Sequence, residues 1–206
     1  MNTQKIKNII FDFGDIFINL DKPAPINAFL SLGLNAPLKD ISLINDTYEI
    51  GKINTNTFLD TYQKWLPEVD TNEIIEAWNS ILKDFPISRL EFLKTLAQQK
   101  KYKLFLLSNT NYLHIEWVKE NVPFFDEFKR CFDKFYLSQE IGFRKPNAEI
   151  YEFVLQQNNL KANETLFIDD LKQNTDAAKA LGIHVWNLIP GKEDVSQLFI
   201  KNPTIL

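Results

Sequence analysis

Four short runs, 6–11, 103–107, 165–168 and 183–187, are rich in β-branched and aromatic residues and have the length of buried strands. A fifth, weaker run lies at 134–137. Between the later runs the apolar spacing changes to that of a helix. Segment 89–100 puts Leu90, Leu93, Leu96 and Ala97 on one face, and 147–158 does the same with Ile150, Tyr151, Val154 and Leu155. Segment 173–181 is an alanine-rich helix that stops at Gly182, the residue type best suited to a left-handed C-terminal cap. Strands alternating with helices predict right-handed crossovers and an α/β fold, a mostly parallel sheet with helices on both faces.

The interval 21–86 breaks this alternation. It holds no buried strand pattern, and its apolar residues recur at helical spacing: Ile26, Phe29 and Leu30, then Phe58, Tyr62 and Trp65, then Ile74, Trp78 and Ile81. Pro67, Pro86 and the polar run Asn54-Thr55-Asn56 punctuate it. A small all-helical module inserted after the first strand is expected, with Trp65 and Trp78 in its core. The 206 residues then divide into a core of 1–20 and 87–206 and a cap of 21–86.

Composition narrows the class of partner. There are 23 Lys+Arg against 27 Asp+Glu, a net charge of −4, and only Arg89, Arg130 and Arg144 are arginines. Nucleic-acid and anionic-membrane surfaces draw most of their affinity from a basic surplus, so neither is expected. The single cysteine, Cys131, excludes an internal disulfide framework and a cysteine zinc site. The first apolar run is cut by Asp12 and Asp15, and no apolar stretch reaches membrane-spanning length. A cytoplasmic protein is expected, with monomer and homodimer both open.

Ligands of open parallel sheets bind beyond the carboxyl ends of the strands, and every strong strand except the last runs into a reactive group there. These are Asp12, Ser108-Asn109 and Asp169-Asp170; Lys145 adds a cation before Pro146 at the start of a helix. Three converging carboxylates repel one another and call for a hard cation, and magnesium suits all-oxygen ligation. Such a metal draws in a phosphate and eases attack on it by a carboxylate. Ser108 and Lys145 would hold the phosphoryl oxygens, Asp12 would attack phosphorus, and water would hydrolyse the resulting aspartyl-phosphate.

Four segments in order carry a family resemblance: Ile9-Ile10-Phe11-Asp12-Phe13-Gly14, Leu106-Leu107-Ser108-Asn109-Thr110, Gly142-Phe143-Arg144-Lys145-Pro146, and Leu166-Phe167-Ile168-Asp169-Asp170 followed by Asn174. The chain resembles the haloacid dehalogenase-like hydrolases over almost its whole length, most of all the branch with glucose-1-phosphate phosphatases and the phosphatase domains of epoxide hydrolases. The resemblance implies a Rossmann-like core with a helical cap between the first two segments. It implies Asp12 as nucleophile and Ser108, Asn109 and Lys145 around the phosphate. It further implies magnesium on Asp12, the Gly14 carbonyl and the Asp169-Asp170 pair, one of the pair touching the metal directly, Asp170 ahead of Asp169, and the other through water, with Asn174 orienting the loop.

Most phosphatases of the family carry an acid/base aspartate two residues after the nucleophile, where this chain has Gly14. Asp15 is the nearest replacement, and its other reading is a turn residue. Glu49 or Tyr48, before Gly51, is a cap candidate for the substrate pocket, because Gly51 allows that loop to approach the core; the other reading makes both surface residues at a helix end. His114, in a helix after Asn111, and His184, in the last strand, are expected to be structural; Arg144 either adds positive potential or lies on the surface. The expected function is a magnesium-dependent phosphomonoester hydrolase for a small phosphorylated metabolite such as a sugar phosphate. The alternatives are a metal-independent 2-haloacid dehalogenase and a catalytically weak phosphate-binding regulator.

Overall fold

The computed structural model describes residues 5–204 and Leu206. Five strands, β1 (Asn8–Phe11), β2 (Lys103–Ser108), β3 (Lys134–Leu137), β4 (Thr165–Asp169) and β5 (His184–Asn187), form one sheet in the order β3-β2-β1-β4-β5. All four pairings are parallel. The weak run 134–137 is an edge strand, and the other strands match their apolar runs to within two residues.

Alternation along β1 sends side chains to opposite faces of the sheet. Ile9 and Phe11 enter a core rich in phenylalanine, in which Phe13, Phe17, Phe85 and Phe128 are in ring contact. Ile10 enters a smaller core on the other face with Phe105, Leu107 and Phe167. Before β2 the chain forms α1 (Ala24–Ser31), α2 (Leu38–Glu49), α3 (Thr55–Trp65), α4 (Thr71–Asn79) and α5 (Ile87–Gln98). Later come α6 (Tyr112–Asn121), α7 (Phe125–Arg130), α8 (Ser138–Ile141), α9 (Ala148–Gln157), α10 (Lys172–Ala180) and α11 (Leu198–Lys201). Among the described residues no helix is long and apolar enough to cross a membrane.

Helices α1 to α4 surround their own apolar cluster, with Phe29, Tyr48, Phe58, Tyr62 and Trp78 buried at its centre. Local sequence sets the helix starts. Asn54 accepts from Thr57 N–H at 2.9 Å, and Asp70 forms a capping box with Glu73. Trp65 packs edge-on against Tyr62 at 5.3 Å. Helix α2 escapes the sequence pattern because its buried side is thin, with Tyr48 buried and Ile41 and Ile44 only half-buried, while Leu38 and Leu43 are exposed. The two chain segments that join this module to the sheet pair with each other. Asn19 N–H donates to Asp84 O at 2.9 Å, Lys83 N–H to Asn19 O at 3.0 Å and Asp21 N–H to Ile81 O at 2.8 Å.

Candidate active site

Strand β1 is central, and the chain leaves it toward β2 and β3 before returning to β4 on the other side. That reversal opens a crevice beyond the carboxyl ends of β1 and β4. Asp12 follows β1 directly, and its N–H donates to Ile168 O at 2.9 Å. Its side chain therefore leaves the sheet beside Asp169, the last residue of β4.

Lys145 joins the two. Its side chain is buried, with Nζ 2.7 Å from Asp12 Oδ1 and 2.7 Å from Asp169 Oδ2. Asn109 fixes the lysine from behind: its Oδ1 accepts from Lys145 N–H and its Nδ2 donates to Lys145 O, both at 2.9 Å. Both ends of the Asn109 amide are thus committed to the Lys145 backbone. Asn174 donates to both oxygens of Asp169, at 3.0 and 3.1 Å, and Leu171 N–H donates to Oδ1 at 2.8 Å. Asn187, at the end of the strand that carries no reactive group, donates to the carbonyls of Asp169 at 3.2 Å and Asp170 at 2.7 Å. Its place at a strand end is the one signal by which the sequence marks it.

Oxygens of Asp12, Asp169 and Asp170 lie within 4.8 Å of one another, a donor set of hard oxygens that fits a magnesium-sized cation. Burial pushes the Asp12 carboxyl up to about 7, against the pull of the Lys145 ammonium and with a further push from Asp169. Burial likewise raises Asp170, opposed by Lys22. Burial works against the charged form of Lys145, but Asp12 and Asp169 outweigh it and hold the ammonium above its ordinary value. Ser108 is buried at the end of β2, and its hydroxyl makes a long 3.4 Å contact to Asn109 O.

Asp15 is buried with a left-handed φ of 55°. Its Oδ1 accepts from Leu20 N–H at 3.0 Å and its Oδ2 lies 2.8 Å from Lys22 Nζ, so both oxygens are engaged by the chain leading into α1. Lys22 also contacts Asp170 Oδ2. Nothing in the patterning singled out Lys22; it is one lysine among many in an exposed linker.

On the cap side, a cavity of about 100 Å³ is lined by Gly14, Leu20, Glu49, Ser108, Asn109 and His114. A Cβ on Gly14 would meet Leu20 Cδ1 at 2.6 Å. Glu49 Oε2 is 3.0 Å from Arg144 Nη2, and Arg144 Nη1 is 2.5 Å from Asp46 Oδ1. Arg144 therefore bridges core and cap rather than facing solvent. Burial raises the Glu49 carboxyl; Arg144 counters and Asp46 reinforces the rise. Gly51, with φ of 66°, seats this loop on α8, where a Cβ would fall 2.1 Å from Gln139 O.

Helix α4 docks on α6 through a polar knot. Trp78 Nε1 donates to Asn111 Oδ1 at 3.2 Å, and the Trp78 ring stacks on His114 at 5.1 Å. His114 Nε2 is 3.3 Å from Trp78 O and Nδ1 is 3.0 Å from Asn111 Nδ2. A ring that donates from Nε2 and accepts at Nδ1 is neutral, and burial lowers His114 to about 4 despite the Trp78 carbonyl. His184 opens β5, away from these contacts.

A parallel sheet with carboxylates and a buried lysine at its switch point, beside a cluster of helices inserted after the first strand, is the architecture of an α/β hydrolase core. The chain matches the haloacid dehalogenase-like hydrolases over residues 9–188 and belongs to that family. It is similar to the D-ribitol-5-phosphate phosphatase of Bacteroides thetaiotaomicron, 31% identical over 88% of this chain and 91% of that protein. It is also similar to the glyceraldehyde 3-phosphate phosphatase of Methanocaldococcus jannaschii, 26% identical over 91% of this chain and 86% of that one. Among solved structures, a family enzyme from Bacteroides thetaiotaomicron in complex with magnesium and inorganic phosphate superimposes with a TM-score of 0.81. It is 35% identical over 94% of this chain and 99% of that one.

Proposed function

We propose that this protein is a magnesium-dependent phosphatase of small phosphorylated polyols or sugars, working in the cytoplasm. The observation that carries the proposal is the buried Lys145 bridge between Asp12 and Asp169, with Asp170 completing a three-carboxylate cluster. The two similar phosphatases are named for phosphate esters of short hydroxylated chains, and a crevice roofed by a half-buried carboxylate suits such a substrate.

Asp12, Asp169, Asp170 and the Gly14 carbonyl would hold the metal, which withdraws charge from the phosphoryl group. Asp12 attacks phosphorus, so a carboxylate O–P bond forms as the ester P–O bond breaks, and water then cleaves the aspartyl-phosphate. Lys145 orients Asp12 and, with Ser108, holds phosphoryl oxygens. Asn109 holds Lys145. Asn174 and Asn187 fix the loop that carries Asp169 and Asp170. Of the two carboxylates near Gly14, Asp15 has both oxygens engaged, whereas Glu49 faces the cavity and is shifted toward its protonated form. Glu49 is therefore assigned the leaving-oxygen proton.

The reading is tested with ribitol 5-phosphate and p-nitrophenyl phosphate, with magnesium and with chelator. Turnover should vanish with chelator and fall on the order of 10⁵-fold in Asp12→Asn. Undiminished turnover by Asp12→Asn sinks the mechanism, and halide release from 2-haloacids in chelator moves the chain to the dehalogenase alternative. Glu49→Gln should slow the alkyl phosphate about 10²-fold and spare p-nitrophenyl phosphate, whose leaving group needs no proton. Equal losses on both substrates overturn the assignment of Glu49.

A further inference from the structure

Lys22 stands outside every role assigned above. It lies in the linker that leads into α1, its side chain is 45% exposed, and yet its ammonium is held between two nearly buried carboxylates. One is Asp15, at 2.8 Å; the other is Asp170, a member of the carboxylate cluster. The linker is shaped for this contact: Asp15 Oδ1 takes Leu20 N–H at 3.0 Å, two residues before the lysine, and Asp15 N–H donates to Ile18 O at 2.7 Å.

Charge decides what Lys22 does. Asp12, Asp15, Asp169 and Asp170 face Lys145 and Lys22, so four negative charges meet two positive ones. A divalent cation in the cluster makes the region neutral, and from then on the two cations repel across Asp170, which both contact. Ions that share a carboxylate stand about 5 Å apart, where a single and a double charge repel even at the dielectric constant of water. Lys145 is buried among its partners and has no room to leave. Lys22 has solvent beside it and a flexible stem.

We propose that Lys22 is a resident counter-ion that competes with the divalent metal for Asp170 and is released from it when the metal binds. The cap linker is thereby pinned to the site in the metal-free protein and unpinned in the loaded one. The inference rests on the metal reading given above, and its test separates the two.

Magnesium affinity is measured by calorimetry on the whole protein. Lys22→Met should bind magnesium roughly tenfold more tightly than wild type. Lys22→Arg should stay near wild type, and so should Lys83→Met, which removes an exposed linker lysine paired with Asp21 at 3.5 Å. An unchanged or weaker constant in Lys22→Met overturns the proposal and leaves the metal reading standing. Absence of magnesium binding by the wild type overturns both. The unmutated protein gives a second readout, the acetylation rate of Lys22 under a limiting amine-reactive ester, followed by mass spectrometry. The rate should rise with magnesium and reach half its change at the calorimetric constant; a flat or falling rate overturns release.

Discussion

The floor and the roof of the crevice are built on opposite plans. On the floor, Asp12, Lys145 and Asp169 are tied to one another and to Asn109, Asn174 and Leu171, and the strands beneath set their spacing. On the roof, Arg144 Nε and Gln139 Oε1 are buried without a hydrogen-bond partner among the described residues, and Glu49 Oε2 has its ion pair with Arg144 Nη2 at 3.0 Å. Buried polar atoms are normally satisfied, and leaving one bare costs about 1–3 kcal/mol. In the proposed function the floor, whose geometry is over-determined, would act on the phosphoryl group. The less constrained roof would read the rest of the substrate.

The largest expected effect comes from breaking the floor. Lys145→Met leaves Asp12 and Asp169 facing each other without a counter-ion, and turnover at saturating magnesium should fall on the order of 10³-fold. A loss of tenfold or less would mean that the metal alone holds the phosphoryl group. Next is the seat of the roof. Gly51→Ala places a methyl group into the Gln139 carbonyl at a φ reserved for glycine, and should cost roughly 2–3 kcal/mol in thermal or urea unfolding while raising KM more than it lowers kcat. Wild-type stability in that variant would show the loop to be free of the core.

The third effect is smaller and depends on pH. His114 is held neutral in the folded protein with its pKa lowered from 6.5 to about 4, so the unfolded chain takes up the proton first as pH falls. The stabilisation of the neutral ring is complete above pH 6.5 and is lost progressively down to about pH 4, to a total of at most about 3 kcal/mol. His114→Gln should flatten that slope in unfolding measurements between pH 7 and 4. An unchanged slope would place the pH sensitivity elsewhere.

The floor was legible in the sequence and, apart from the Glu49–Gly51 loop, the roof was not, for a physical reason. Strand order and the residue after each strand decide the floor, and both are local signals: Asp12, Ser108 and Asp169-Asp170 follow apolar runs that only a buried strand explains. The roof depends on contacts between segments far apart in the chain, such as Arg144 with Asp46 and Glu49, or Trp78 with Asn111 and His114. No periodicity encodes them. Trp78 fits the expected core of the helical module, but its indole N–H reaches α6, which no spacing within 21–86 announces. Lys22 and Asn187 escaped for the same reason, since Asp170 lies 148 residues from Lys22 and 17 from Asn187. Gly51 was legible, because a glycine beside a carboxylate at a helix end marks a close approach.

The central position of β1 bears on how the protein folds. Asp12 follows β1, yet that strand is closed on one side by β4, where Asn8 pairs with Thr165 and Lys7 N–H donates to Glu164 O at 2.8 Å. The helical module and strands β2 and β3 all lie between β1 and β4 in the chain. Such sequence-distant pairing is slow to form, and until β4 docks Asp12 stands apart from the other two carboxylates of the cluster. Closure of the sheet and assembly of the carboxylate cluster are therefore a single folding event.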